Sequence, residues 1–245
     1  MAGKGKGVFT LMINDFLIVQ YHKEPNAVDL YANSINRSME PDRFETHKKL
    51  TSRIIYQIKS FYPRANIHVL TNETGTLPVV YHVMKDLPLN NLCKLFIYGI
   101  LDRPCMFVDS DIMLVKPFEP KHVDTDNEFL LYSSYKPEGY SENYPHYNTG
   151  VVWINKPSCR IVDELLRINQ TYDDPYKWHY NDEYPVSRYV FDKNMKMYQG
   201  NDVNVYRSLV CDLEHMKGFD RYQSIHYAVP KKLLLKELVG RLKLT

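Results

Sequence analysis

Between residues 8 and 110, short apolar runs alternate with stretches of helical periodicity, and that alternation leaves few folds open. Val8–Ile13, Ile67–Leu70, Val79–Met84 and Cys105–Val108 read as strands, the first ending in an Asn14-Asp15 turn. Arg43–Phe61, closed by Pro63, and Asn91–Leu101 read as helices. Short apolar runs without polar alternation are what strands look like when both faces of a sheet are covered. Strand, helix and strand in succession build βαβ units and a parallel sheet. The second half adds strands at Phe129–Tyr132 and Val151–Ile154, and helices at Ser158–Ile168 and Asp182–Phe191, where Pro185 falls in the first turn. With no internal repeat and no linker, residues 1–245 are expected to form one α/β domain with a mostly parallel central sheet flanked by helices.

Composition narrows the function classes. Thirty-one Lys and Arg against 29 Asp and Glu leave a net charge of +2, so bulk charge gives no reason to expect nucleic acid as a partner. A hydrophobic content of 44% excludes a disordered chain. Cys93, Cys105, Cys159 and Cys211 are far apart and form no CxxC pair, which argues against a zinc knuckle or a dense disulfide framework. The apolar run Val8–Val19 is broken by Asn14 and Asp15, unlike a signal peptide, and no run reaches the roughly 18 apolar residues that span a bilayer. The expectation is a cytoplasmic protein, soluble or peripheral. Residues 230–245 include five basic residues and one acidic, with leucines at helical spacing. Such a helix either packs its leucines on the domain or lies on an anionic membrane surface or a partner. The 20 tyrosines can stack on sugar rings or serve as core.

The segment richest in chemistry is Cys105–Phe118, in which four apolar residues run into Asp109-Ser110-Asp111. In extended chain, residues i and i+2 project to one side, so both carboxylates are expected on one side of the strand's carboxyl end. Open α/β sheets bind ligands at that edge. Two carboxylates so close repel unless a cation lies between them. A hard divalent ion shared with substrate phosphates meets that need, so the expected chemistry involves a metal-bridged diphosphate. A plain acidic turn and an aspartyl-nucleophile phosphatase are the other readings; in the latter, Thr or Val usually stands where this chain has Met113.

Phe107-Val-Asp-Ser-Asp-Ile112 resembles the metal-binding strand of glycosyltransferases with the GT-A fold, in the group of glycogenin and the bacterial lipopolysaccharide galactosyltransferases. The likeness continues in order along most of the chain. Val8–Asp15 is similar to the group's first strand and nucleotide-contacting turn, and Asn91–Leu95 to a helix bearing a phosphate-facing lysine, here Lys94. Tyr147–Asn155 resembles an asparagine-bearing acceptor-side strand, and Tyr180–Glu183 an Asn-Asp-Gln segment near the reacting carbon. Ser224–Tyr227 resembles a late strand whose histidine completes the metal site. Two departures stand out. Glu183 takes the place of the usual Gln, and after His226 Val229 replaces a glycine while Lys232 keeps a lysine spacing without its tryptophan.

The resemblance implies that Asp109, Asp111 and His226 hold Mn²⁺ or Mg²⁺, a donor set that suits manganese. His226 taken alone reads equally as a core histidine. It implies donor contacts from Thr10, Asn14, Lys94, Asp109, Ser110 and Lys232. Asn14 taken alone serves as a turn residue, and Lys94 as an exposed helix lysine. Asn148, Asp182 and Glu183 are the implied catalytic group, with Asp182 near the anomeric carbon. Asp182 also suits a helix N-cap, and Asn148 a strand-start turn. Trp153, Trp178 and the tyrosines of 132–147 are stacking candidates or core.

The implied function is metal-dependent transfer of a hexose from a nucleotide sugar, a UDP-sugar by resemblance, to the hydroxyl of a glycan, protein or small-molecule acceptor, with retention. Residues 7–115 would be the nucleotide-binding half and 116–229 the acceptor-side half. An inverting transferase, a sugar-phosphate nucleotidyltransferase and a non-catalytic sugar-binding module are the alternatives. The nucleotidyltransferase is disfavoured because Asn14-Asp15-Phe16, and no glycine-rich basic loop, follows the first apolar run.

Overall fold

A computed structural model of the chain describes residues 13–20, 43–86, 91–119, 122–123, 126–132, 147–171, 182–198, 203–207 and 224–227. The strands are β1 (Asp15–Gln20), β2 (Asn66–Thr71), β3 (Val80–Val83), β4 (Cys105–Val108), β5 (Ile112–Leu114), β6 (Phe129–Leu131), β7 (Val151–Ile154), β8 (Asn204–Arg207) and β9 (Ser224–Tyr227). The helices are α1 (Arg43–Phe61), α2 (Cys159–Gln170) and α3 (Glu183–Asp192), and Asn91–Tyr98 winds as a 3-10 helix.

Six strands form the central sheet in the order β3-β2-β1-β4-β7-β6, and β5-β9-β8 form a smaller one. The ladders β1–β2, β1–β4 and β2–β3 are parallel, while β4–β7 and β6–β7 are antiparallel. The sheet is therefore mostly parallel, as the alternation of strands and helices requires. Its two faces carry separate cores. Leu17, Leu70, Cys105, Phe107, Val152 and Ile154 pack under the 3-10 helix, α2 and α3. Phe16, Ile18, Val69, Met106, Val108, Val151 and Trp153 pack against Ile54, Ile55 and Ile58 of α1 and against Ile112 and Leu114 of β5. Cys105 to Val108 are all fully buried, which explains the unbroken apolar run.

α2 begins at Ser158, whose side chain accepts from the Arg160 backbone N–H and so satisfies one of the helix's orphan donors. It packs closely on the chain after the 3-10 helix. A Cβ on Gly99 would lie 2.9 Å from Val162 Cγ2 and 3.1 Å from Cys159 N, a space that only glycine leaves open.

The first strand departs from the sequence expectation. Ile13 is the only described residue of Val8–Ile13, and the strand that enters the sheet is Asp15–Gln20. Phe16 to Val19 supply the apolar run, and Asp15, read as a turn residue, is buried at the strand's start. Its carboxylate is fully partnered. Arg103 donates from Nε to Oδ2 at 3.0 Å and from Nη2 to Oδ1 at 3.1 Å, and Asn66 Nδ2 and His68 Nε2 each lie 3.0 Å from Oδ1. An ionised Asp15 only accepts, so His68 donates to it from Nε2, and His68 Nδ1 then faces His82 Nε2 at 3.0 Å. Burial alone would raise the Asp15 pKa, but the bonds from Arg103, His68 and Asn66 outweigh it and hold the carboxyl below its ordinary value. β5 and β8 are further strands that the sequence pattern did not reveal. Residues 230–245, and with them the expected basic helix, lie outside the described residues.

The network makes stability pH-dependent. Burial, and then the neighbouring charges of His68 and Arg103, lower the His82 pKa below 6.5. As pH falls through 6.5, the unfolded chain takes up a proton that the folded one refuses, so stability is expected to fall. Urea-denaturation midpoints measured on both sides of pH 6.5 should show this slope, and His82→Gln should flatten it.

Candidate active site

The carboxyl ends of β1, β2 and β4 share one edge of the central sheet, because these strands run parallel. At that edge β4 gives way to Asp109, whose backbone N–H donates to the Gly150 carbonyl at 2.8 Å and prolongs the β4–β7 ladder by one bond. The Ile112 N–H then donates back to the Asp109 carbonyl at 3.1 Å. Asp109-Ser110-Asp111 is therefore a tight turn rather than an extended strand end. The alternation expected of an extended strand therefore does not apply to Asp109 and Asp111, because the chain turns between them.

Lys94, on the 3-10 helix, reaches this turn. Its Nζ lies 2.7 Å from Asp109 Oδ2 and 3.4 Å from Asp182 Oδ2, with the lysine side chain 19% exposed and the Asp182 side chain 3%. Burial would lower the Lys94 pKa, but Asp109, Asp182 and Asp111 outweigh it and hold the ammonium well above the ordinary lysine range. Lys94 is thus not an exposed helix lysine. Asp182 occupies the N-cap position of α3 yet makes no capping bond. Its Oδ2 accepts instead from Thr149 Oγ1 at 2.7 Å, and its Oδ1 is buried without a hydrogen-bond partner.

Glu183 opens α3, and its Oε1 accepts from Asn148 Nδ2 at 3.2 Å. Asn148 Oδ1 accepts from the Gly150 N–H at 2.9 Å, so its amide spans a backbone turn and the carboxyl group at once. Burial, followed by the charge of Asp182, pushes the Glu183 pKa up to about 8 against the lowering influence of Lys94. At neutral pH its protonated, neutral form is favoured. Tyr98 lies under the same cluster with its hydroxyl buried and unpartnered, and burial together with Asp182 raises its pKa far above 10.

The structure therefore brings Lys94, Asp109, Asn148, Asp182 and Glu183 into one cluster beside the turn of Ser110 and Asp111. The backbone of His226 on β9 stands opposite Ile112, next in sequence to Asp111. Its side chain lies outside the described residues, as do Thr10, Trp178 and Lys232. No group of three His, Cys, Asp or Glu side chains able to hold a metal ion occurs among the described residues. Asn14 is not brought to the site. It is exposed and precedes β1, at the opposite edge of the sheet, because the strand starts after it rather than before it. The residue at the site edge of β1 is Gln20, buried with its Oε1 unpartnered. The apolar run Phe16–Val19 immediately before it was the signal that could have found it. Thr149 was also missed, although it adjoins Asn148. Trp153 and Tyr132 are buried core residues, not stacking platforms.

No protein-family model and no curated protein sequence matches the chain. Solved structures do. The galactosyltransferase LgtC, in complex with donor and acceptor sugar analogs, matches with a TM-score of 0.52 at 13% identity over 93% of this chain and 95% of that one. A glycosyltransferase involved in glycosylation of the major capsid of PBCV-1 matches with a TM-score of 0.51 at 14% identity over 91% and 98%. The apo form of the glycosyltransferase GlyE from Streptococcus pneumoniae matches with a TM-score of 0.55 at 13% identity over 95% and 60%. The chain has the GT-A glycosyltransferase fold. In this GT-A chain the acidic turn lies where the parallel strands end, and no helix among the described residues is long and apolar enough to cross a membrane.

Two substitutions probe the cluster. Lys94→Met leaves Asp109 and Asp182 without their shared counter-charge and is expected to cost about 3 kcal/mol of stability, measured by urea denaturation. Glu183→Gln keeps the bond from Asn148 and removes a group that the folded chain prefers neutral. Its stability relative to the parent chain is expected to rise as pH climbs from 4.5 to about 8 and then level off, in melts run with chelator present.

Proposed function

We propose that this chain is a metal-dependent glycosyltransferase that moves a hexose from a UDP-sugar to an acceptor hydroxyl with retention at the anomeric carbon. The observation that carries the reading is the joining of the acidic turn to Lys94, Asp182 and Glu183 at the ligand-binding edge of a GT-A sheet. The complex of the structurally similar LgtC with donor and acceptor sugar analogs supports a sugar-nucleotide donor and a glycan acceptor.

The residue set fits a divalent ion. Asp109 and Asp111 supply hard oxygen donors on one turn, and β9 sets His226 beside that turn in register. In this reading these three hold Mn²⁺ or Mg²⁺, which supplies positive charge against the departing diphosphate. Lys94, 2.7 Å from Asp109 Oδ2, contributes a second positive charge, and its raised pKa keeps it ionised. Gln20 replaces Asn14 as the first-strand candidate for nucleoside contact. Asp182, with Oδ1 unpartnered, accepts a sugar hydroxyl or faces the positive charge that develops on the ring. Glu183, whose pKa burial and Asp182 push upward, donates a hydrogen bond when protonated and accepts one when ionised. Asn148 orients Glu183 and offers its amide to sugar hydroxyls.

The test is a thermal-shift screen of nucleotide sugars with and without Mn²⁺, followed by transfer assays and NMR assignment of the product anomer. A UDP-sugar should raise the melting point when Mn²⁺ is present, and Asp111→Asn should lower transfer by about a hundredfold or more while the chain stays folded. Undiminished transfer in chelator would remove the metal, and an inverted product would remove retention.

A further inference from the structure

Among the described residues β5 is an edge strand, since β9 pairs with only one of its sides. The other side meets the polar face of α1. Alternate residues of a strand turn their carbonyls to the same edge, and the carbonyls of Ser110, Ile112 and Leu114 are the ones that α1 meets. Arg53 Nη2 donates to the Ile112 carbonyl at 2.8 Å and to the Ser110 carbonyl at 3.5 Å. One helical turn on, Gln57 grips Leu114 at both backbone groups: its Nε2 donates to the carbonyl at 3.3 Å, and its Oε1 accepts from the N–H at 3.2 Å. Tyr62, beyond the end of α1, does the same for Phe118. Side chains of α1 and its end thus stand in for a missing strand partner.

Arg53 differs from the others in where it holds the chain. Gln57 and Tyr62 grip the strand and the segment after it. Arg53 grips Ser110, which lies between the two aspartates, and Ile112, which closes their turn and stands opposite His226. We propose that Arg53 is a positioning residue for the acidic turn, its guanidinium fixing where Asp109 and Asp111 present their carboxylates and how they stand to the strand bearing His226. The one nitrogen Nη2 reaches both carbonyls, closely to Ile112 and at longer range to Ser110, and so ties the turn to the first residue of β5. It also brings a permanent positive charge to a turn carrying two carboxylates. The role rests on the proposed metal and donor site at that turn.

The experiment measures the Mn²⁺ dissociation constant by calorimetry or electron paramagnetic resonance on the full chain, with melting curves alongside. The parent chain is compared with Arg53→Met, Arg53→Lys and Gln57→Leu. Arg53→Met should weaken Mn²⁺ binding about tenfold, Arg53→Lys should recover part of that loss, and Gln57→Leu should lower the melting point while keeping Mn²⁺ affinity within about twofold. Equal Mn²⁺ binding by Arg53→Met and the parent overturns the inference. So does an equal weakening by Gln57→Leu, since the effect is then a general loosening of β5. If Arg53→Met does not fold, Arg53→Lys takes its place, and Mn²⁺ binding no weaker than that of Gln57→Leu overturns the role. If the parent itself binds no Mn²⁺, the metal assignment fails first. The same variants are then compared by the melting-point shift that UDP produces, where equal shifts in the parent and the Arg53 variant overturn the positioning role.

Discussion

The ammonium of Lys94 is the point on which the cluster rests. It is shared by Asp109, at the end of a central strand, and Asp182, at the start of a helix 73 residues further along the chain. Both carboxylates are buried, and without that cation they would repel each other in a medium that screens poorly. Their attraction to one group brings the 3-10 helix, the β4–β5 turn and the head of α3 together. The rest of the geometry follows from that placement. Thr149 meets Asp182 only because α3 begins there, and Asn148 meets Glu183 for the same reason.

The central sheet has polar clusters at both edges, and their hydrogen bonding separates them. Where β1 begins, both oxygens of Asp15 are engaged by Arg103, and Asn66 and His68 add to one of them. A carboxylate so fully partnered has little left to offer a ligand, and its work is to hold strands in register. Where β1 ends, Gln20 Oε1 is buried without a partner among the described residues, and so are Tyr98 Oη and Asp182 Oδ1 in the Lys94 cluster. Buried polar atoms left unpaired cost stability, and a fold tolerates several in one region where something else is to meet them.

Much of this could be read from the sequence, because covered strands leave unbroken apolar runs and surface helices leave a periodic stripe. β4 and β7, with both faces buried, match their apolar runs residue for residue, and α1 ends where Pro63 requires. The misreadings share one cause. Asp15 reads as a turn residue because a local pattern carries no sign of Arg103, which is 88 residues away in sequence. Asp109-Ser110-Asp111 reads as extended because nothing local marks β5, only three residues long, or the α1 side chains that hold its outer edge. Lys94, Asp182, Glu183 and Asn148 were all named as candidates, but only the fold shows that they meet. Asp182 also fits an N-cap by type, and it is the direction of its carboxylate, away from the helix end, that assigns it to the cluster.

Gly99 gives the site an unexpected lever. α2 lies against the chain beside it, and α3 rests on α2, so the absent side chain decides how deeply two helical layers sink toward the sheet. The head of α3 carries Asp182 and Glu183. Adding one methyl at residue 99 would lift that stack like a shim under a lever arm, and the movement would be felt at two acidic groups that never touch it.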